Sequence, residues 1–221
     1  SSRLESLKNI TERYDGYGNS IRKVMEQKDR YKGIVGVVAD IIKTKKQYET
    51  AIETALGGTI QNIVTDNEET AKGLIAFLKQ NKFGRATFLP LSAISGRDIR
   101  VDSSLTKEDG AVGFANQLVE CDDEFTELAR YLLGRILVVD NIDNALAIAR
   151  RHNHSLRIVT LEGDMLSPGG SMSGGAFKNS SNLLGRRREI EELEASVSVK
   201  EAELKKSEEQ LTAAREQLGA L

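Results

Sequence analysis

Residues 169–175 read Gly-Gly-Ser-Met-Ser-Gly-Gly, two glycine pairs separated by three small or flexible residues, with Pro168 in front. Glycine pairs let another group approach the backbone closely, because no Cβ holds it away. Three readings suit such a stretch. The first is a phosphate, which would make the chain a ligand-binding enzyme or sensor. A phosphate loop needs G-x-x-x-x-G-K-[ST], since the lysine must reach the β- and γ-phosphates. Gly169 and Gly174 have that glycine spacing, but Gly175 stands in the lysine's place, and shifting by one offers Ala176. The dinucleotide pattern G-x-G-x-x-G is absent as well. The second reading is a plain turn, because Ser167-Pro168-Gly169-Gly170 places proline at i+1 and glycine at i+2 of a type II turn. The third is close packing of bare main chain against another strand or a second subunit.

The remaining chemistry-bearing residues each have a structural reading beside the functional one. Asp66-Asn67-Glu68-Glu69 and Asp140-Asn141-Ile142-Asp143 pair acids as general acid–base catalysts do. Both sit where a strand gives way to a helix, and there Asp or Asn caps free N–H groups while a following acid complements the helix N-terminus. His152 and His154, the only histidines, offer two metal ligands at i, i+2, but no further Cys or His lies near to complete a tetrahedral set. Basic side chains at a helix end explain that segment better. Cys121 precedes Asp122-Asp123-Glu124, carboxylates that raise a thiol pKa, so it reads as a structural thiol before a helix. Lys178 and Arg186-Arg187-Arg188 form the densest basic feature. They suit either a solvated face or weak, salt-sensitive, sequence-independent phosphate contact. Tyr14 and Tyr17 are too few for a base-stacking platform.

The elements that must position these residues follow from pattern. The 221 residues suffice for one or two domains with a real core. Hydrophobic residues make up 39%, charged residues 29% and aromatics 5%, with no tryptophan, so packing relies on Leu, Ile, Val and Ala. A net charge of −2 gives no global pull toward DNA or membrane. The single cysteine rules out an intrachain disulfide and suits a reducing cytoplasm. No apolar run approaches the roughly 18 residues of a membrane span. The chain begins Ser1-Ser2 without methionine, as expected of an excised piece of a longer protein.

From about Arg186 the chain becomes one heptad-patterned helix. Ile190, Val197, Leu204, Leu211 and Leu218 recur every seven residues, and Leu193, Lys200, Ser207, Ala214 and Leu221 take the companion d positions. That is a coiled-coil seam weakened at Lys200 and Ser207, about 54 Å long at 1.5 Å per residue. Leu4, Leu7, Thr11 and Tyr14 share the 3-4 spacing at the other end, in a helix of about 21 Å that stops before the glycines of Asp15-Gly16-Tyr17-Gly18. The two ends are expected to pair antiparallel as one arm. Between them lies an internal repeat. Gly33-Ile34-Val35-Gly36-Val37 matches Gly110-Ala111-Val112-Gly113-Phe114 at an offset of 77, and Val64, Asp66, Asn67 and Ala71 match Val138, Asp140, Asn141 and Ala145 at 74. Each copy reads as strand, helix ending at glycine, strand, Asp-Asn, helix, strand. The expected divisions are an N-terminal coil over 1–14, a first lobe over 15–89, a connector over 90–109, a second lobe with the glycine loop over 110–182, and a C-terminal coil over 183–221.

Taken together, these parts resemble the hinge domain of a bacterial SMC (structural maintenance of chromosomes), condensin-like protein with its adjoining coiled coil. The carriers are Gly33-Ile34-Val35-Gly36-Val37-Val38-Ala39-Asp40, Tyr48 through Gly57-Gly58, and Gly163-Asp164 through the double glycine pair. The resemblance implies a mixed α/β fold of two similar lobes, with an antiparallel coiled-coil arm made from both chain ends. It implies a ring-shaped homodimer with Gly169, Gly170, Gly174 and Gly175 at the subunit contact, and no catalysis in this piece. ATP and magnesium would belong to heads elsewhere in the parent protein, which would organise and segregate chromosomes with kleisin-type subunits in the cytoplasm, on the nucleoid. It further implies weak, non-specific DNA binding. Relatives carry several lysines after the second glycine pair where this chain has only Lys178, which shifts the expected contact toward Arg186, Arg187 and Arg188. The competing expectations are an α/β enzyme or sensor taking a phosphorylated ligand at the loop, and a standalone DNA-binding module.

Overall fold

The computed structural model describes residues 2–12, 14, 16–94, 100–176 and 182–219. Residues 16–185 form one compact unit, and the two chain ends form another.

The compact unit opens with α2 (Asn19–Met25), numbered after the terminal helix α1 (Ser2–Glu12). The first lobe continues through β1 (Ile34–Val37), α3 (Val38–Ile41), β2 (Lys43–Thr44), α4 (Glu49–Leu56), β3 (Ile63–Thr65), α5 (Glu68–Asn81), β4 (Phe88–Pro90) and α6 (Leu91–Ile94). The second runs β5 (Ala111–Phe114), β6 (Val119–Glu120), α7 (Thr126–Leu133), β7 (Ile136–Val139), α8 (Ile142–Arg151) and β8 (Arg157–Thr160). It then adds β9 (Met165–Leu166) and β10 (Met172–Ser173).

The repeat is real in three dimensions. In each lobe the first strand runs antiparallel to the second and the second parallel to the third, giving the orders β1-β3-β4 and β5-β7-β8. Even the irregularities coincide: the ladder slips between Ile34 and Gly36 in one lobe and between Ala111 and Gly113 in the other, an offset of 77 both times. Apolar strands meet apolar helix faces in both cores, with Ile52, Ile63, Val64 and Leu74 buried in the first lobe. In the second, Leu137, Val139, Ile148 and Ile158 gather in one cluster. The lobes are joined by the antiparallel pair β2–β6, in which Lys43 lies opposite Glu120. Lys43 thus faces its own repeat counterpart while Thr44 faces Val119, as an antiparallel pair centred on a local two-fold at Lys43 and Glu120 requires. Thr44 Oγ1 donates to Leu118 O across the same joint at 2.6 Å.

The Asp-Asn segments are helix caps. Asn67 Oδ1 accepts from Thr70 N and Asn141 Oδ1 from Asn144 N, both at 2.9 Å. Asp66 and Asp140 fix the strand-to-helix corner: each backbone N–H donates at 2.9 Å to the carbonyl of Gly33 or Gly110, and each carboxylate accepts from the next residue's N–H at 2.7 Å. Gly33 and Gly110 lie so close to these carboxylates that a methyl on either would collide with the Asp and its helix neighbour, Thr70 or Asn144.

In the terminal unit, α1 lies with α9 (Leu183–Gly219), whose first turn belongs to the compact unit. Leu4, Leu7, Thr11 and Tyr14 are half-buried, as are Ile190, Leu193 and Val197. Arg3 pairs with Glu189, and Lys8 with Glu194 at 2.7 Å. Further along, Leu204 and Leu211 are 61% and 53% exposed, so the seam outruns the helix that covers it. Leu221 lies outside the described residues. Among the described residues no helix is long and apolar enough to cross a membrane.

Gly33→Ala and Gly110→Ala are each expected to cost about 1–3 kcal/mol, measured by urea unfolding. Gly110→Ala should cost more, because its φ of +82° adds backbone strain to the collision.

Candidate functional site

The glycine stretch forms the tip and the second strand of a hairpin: Gly169 and Gly170 lie in the turn between β9 and the edge strand β10, and Gly174 and Gly175 follow β10. The base of the hairpin is tied by Thr160, whose N–H donates to Asp164 O at 2.8 Å and whose hydroxyl accepts from Asp164 N at 2.9 Å. Chain reversal occurs at Ser167-Pro168-Gly169-Gly170, where Gly170 N donates to Ser167 O at 3.0 Å and Gly169 has φ +91°. Those are the hydrogen bond and the glycine conformation of a type II turn. Ser167 N reaches Ser171 O at 2.9 Å, and Gly169 N reaches His154 O at 2.8 Å. His154 itself holds φ +52° just beyond α8, so the end of that helix anchors the loop.

The four glycines answer to different constraints. Gly169, Gly170 and Gly175 (φ +128°) adopt conformations that side chains disfavour, and nothing crowds Gly169 or Gly175. Gly174 answers to space, because a methyl there would collide with the Asp164 carboxylate of the same chain. The close approach at Gly174 is thus made within the subunit, which the sequence did not disclose. Met172 and Ser173 pair with Leu166 and Met165 on one side, and β10 is the last strand of its sheet. Met172 is 53% exposed, an uncovered thioether on an open edge.

The geometry does not support a phosphate cradle. Phosphate loops lead a strand directly into a helix whose N-terminal amides face the anion; here the loop joins two antiparallel strands. His152 and His154 do not converge either. His152 Nε2 meets Glu108 Oε1 at 2.8 Å, and Arg151 binds the same carboxylate, so these two partners, His152 foremost, hold Glu108 below the usual carboxylate range. Burial, reinforced by Asp122 and Asp123, pushes the Cys121 thiol up, consistent with an unreactive sulfur.

Of the basic residues, Lys178 lies outside the described residues. Arg186, Arg187 and Arg188 sit half-buried in the second turn of α9. Arg187 pairs with Glu191 at 3.4 Å and Arg188 with Glu192 at 2.7 Å, one turn on. Their charge is therefore partly offset within their own helix. Lys43, Lys45 and Lys46, exposed around β2, form a second basic group that the sequence reading passed over.

Sequence reasoning also gave no role to Glu53, which is only 7% exposed on α4. Its Oε1 accepts from Leu184 N at 2.9 Å across 131 residues of chain. Only spatial proximity reveals that pair, since no local spacing connects the two positions.

The family model for the flexible hinge domain of SMC proteins matches residues 31–149, the span of the two repeats up to α8. The chromosome partition protein Smc of Bacillus subtilis (strain 168) is 42% identical over 195 residues, 87% of this chain and 16% of that protein. That of Lactiplantibacillus plantarum is 38% identical over 206 residues, 92% of this chain and 17% of the relative. The chain thus spans about a sixth of the length of these curated relatives. Among solved structures, an asymmetric dimer of the Geobacillus stearothermophilus SMC hinge domain aligns with a TM-score of 0.87 at 36% identity, covering 99% of this chain and 89% of that one. The Pyrococcus furiosus SMC hinge domain aligns at 0.59 and 31% identity, covering 81% and 94%.

Gly174→Ala is expected to lower stability by about 1–3 kcal/mol. Adding Asp164→Ala in the same chain should recover part of that loss in thermal melts, because the colliding carboxylate is gone. A purely intersubunit role for Gly174 predicts no recovery.

Proposed function

The chain belongs to the family of SMC flexible hinge domains, and from that premise we propose that it is the homodimerisation hinge of a chromosome-organising SMC ATPase. Two coiled-coil arms would be joined through it, in condensation and segregation of the chromosome. The observation that carries this reading is the open, glycine-framed edge of β10 with Met172 standing on it.

Edge strands carry unpaired N–H and C=O groups that invite another strand. The repeat supplies a matching partner. In the second lobe, β8 is flanked by β9, whereas its counterpart β4 ends the first lobe's sheet. The vacant flank of β4 in one copy is where the β9–β10 hairpin of a second copy fits. Under two-fold symmetry each copy gives one hairpin and receives one, so two contacts close a ring. Gly169, Gly170, Gly174 and Gly175 frame the hairpin without side chains to obstruct that approach, and Met172 supplies apolar area. The relative from Geobacillus stearothermophilus is described as a dimer, which supports the assignment.

The role proposed for this chain is mechanical. ATP and magnesium would act at heads outside it, and kleisin-type subunits would bind the parent protein, on the nucleoid. DNA contact is assigned to Arg186, Arg187 and Arg188, with Lys178 as a further candidate. Their internal pairing with Glu191 and Glu192 makes that contact weak, since a phosphate must compete with a carboxylate already in place.

Changing Gly174 and Gly175 together to glutamate should yield a monomer in sedimentation at micromolar concentration while far-ultraviolet circular dichroism keeps its helical signal. A variant that still dimerises would remove the hairpin from the interface. Replacing Arg186, Arg187 and Arg188 by glutamate should abolish the salt-sensitive part of DNA binding in fluorescence titrations at two salt concentrations. Unchanged affinity would reject those residues.

A further inference from the structure

We propose that Glu53 is the positioning residue for the start of α9: its buried carboxyl clamps the first turn of that helix onto α4 of the first lobe, within the compact unit.

The first amides of a helix have no partner within it. Here every one of the first three is met. Glu53 accepts from the N–H of Leu184 at 2.9 Å and also from that of Leu183. Asn182 Oδ1 accepts from Gly185 N at 2.7 Å. Asn182 is a local cap of the ordinary kind, whereas Glu53 comes from the other lobe, 131 residues away. Leu183 and Leu184 are buried beside it, so apolar packing and the two amide bonds fix the same turn. That turn lies wholly within the compact unit.

Among the described residues, no cation acts on the carboxyl. It borders a cavity of about 350 Å³ lined by Thr54, Ile60 and Gln61 of the first lobe, Ser173 and Gly174 of the glycine hairpin, and Leu183. The charged group facing it is Glu49, one turn earlier on α4 and likewise buried. Burial is the main cause that raises Glu53 to about 7, helped by the negative charge of Glu49 and opposed by the two amide bonds. A neutral carboxyl still accepts both bonds through its carbonyl oxygen. The first turn of α9 is therefore held best by the protonated form. Because the folded pKa lies above the unfolded value of 4.5, the stabilisation is full below 4.5 and is lost as pH rises through about 7.

Hydrogen exchange of the Leu183–Gly185 amides, corrected for intrinsic rates, tests this on the intact chain. In the wild type, opening of this turn should increase more than about tenfold between pH 5 and 7 and then level off. Glu53→Gln keeps the acceptor and removes the titration, so its protection should match the acidic wild type and stay flat with pH. Glu53→Leu should lose protection at every pH. Identical pH profiles for wild type and Glu53→Gln, or full protection in Glu53→Leu, would overturn the proposal. Sedimentation of the same samples separates the two ideas, because a monomeric wild type would defeat the hinge reading while the amide exchange still decides the role of Glu53.

Discussion

Backbone polar groups in a sheet must find partners, and the outermost strand leaves half of its groups without one. In this chain β10 is one such outermost strand. Among the described residues, its two residues are paired on one side only. Glycines flank it, and an exposed methionine stands on it. Most monomeric sheets blunt such an edge with charge, proline or a covering helix. Here the hairpin is instead stiffened, at its base through Asp164 and Thr160 and at its tip through the carbonyl of His154, so that the bare edge is presented in one shape. Presenting a hydrogen-bonding edge in fixed form lowers the ordering cost of pairing.

The two lobes are variations on one unit. One supersecondary unit appears twice, down to the slipped ladder at Ile34/Gly36 and Ala111/Gly113. The copies meet about a local two-fold at Lys43 and Glu120. They differ chiefly in the hairpin beyond β8. In the second lobe that hairpin flanks β8, whereas β4, its counterpart in the first, is the last strand of its sheet.

Charge is handled conservatively around these features. The arginines at the root of α9 are answered by glutamates one turn on, and α1 is pinned by Arg3 and Lys8 to Glu189 and Glu194. Exposed pairs of this kind contribute little each. They offset much of the positive charge of Arg187, Arg188, Arg3 and Lys8 locally. Glu53 is the exception, a carboxyl taken out of water with no cation acting on it among the described residues, where its neutral form is the cheaper one to bury.

Much was legible from local pattern, because periods, caps and turns depend on neighbours a few residues apart. The heptads of α9, the Asn67 and Asn141 caps, the type II turn and the repeat all follow from spacing, since helix and strand periods write themselves into the order of apolar residues. Resemblance in the glycine and Tyr48–Gly58 segments pointed to the family. What only the tertiary structure decided involves groups far apart in sequence. Nothing in the order of residues says that Asp164 occupies the space above Gly174, or that Glu53 caps a helix beginning at Leu183. Nor does it say that β10 is left at an edge while β8 is covered. Those outcomes turn on burial and on which backbone groups remain unpaired once the chain has folded, and both are properties of the assembled core.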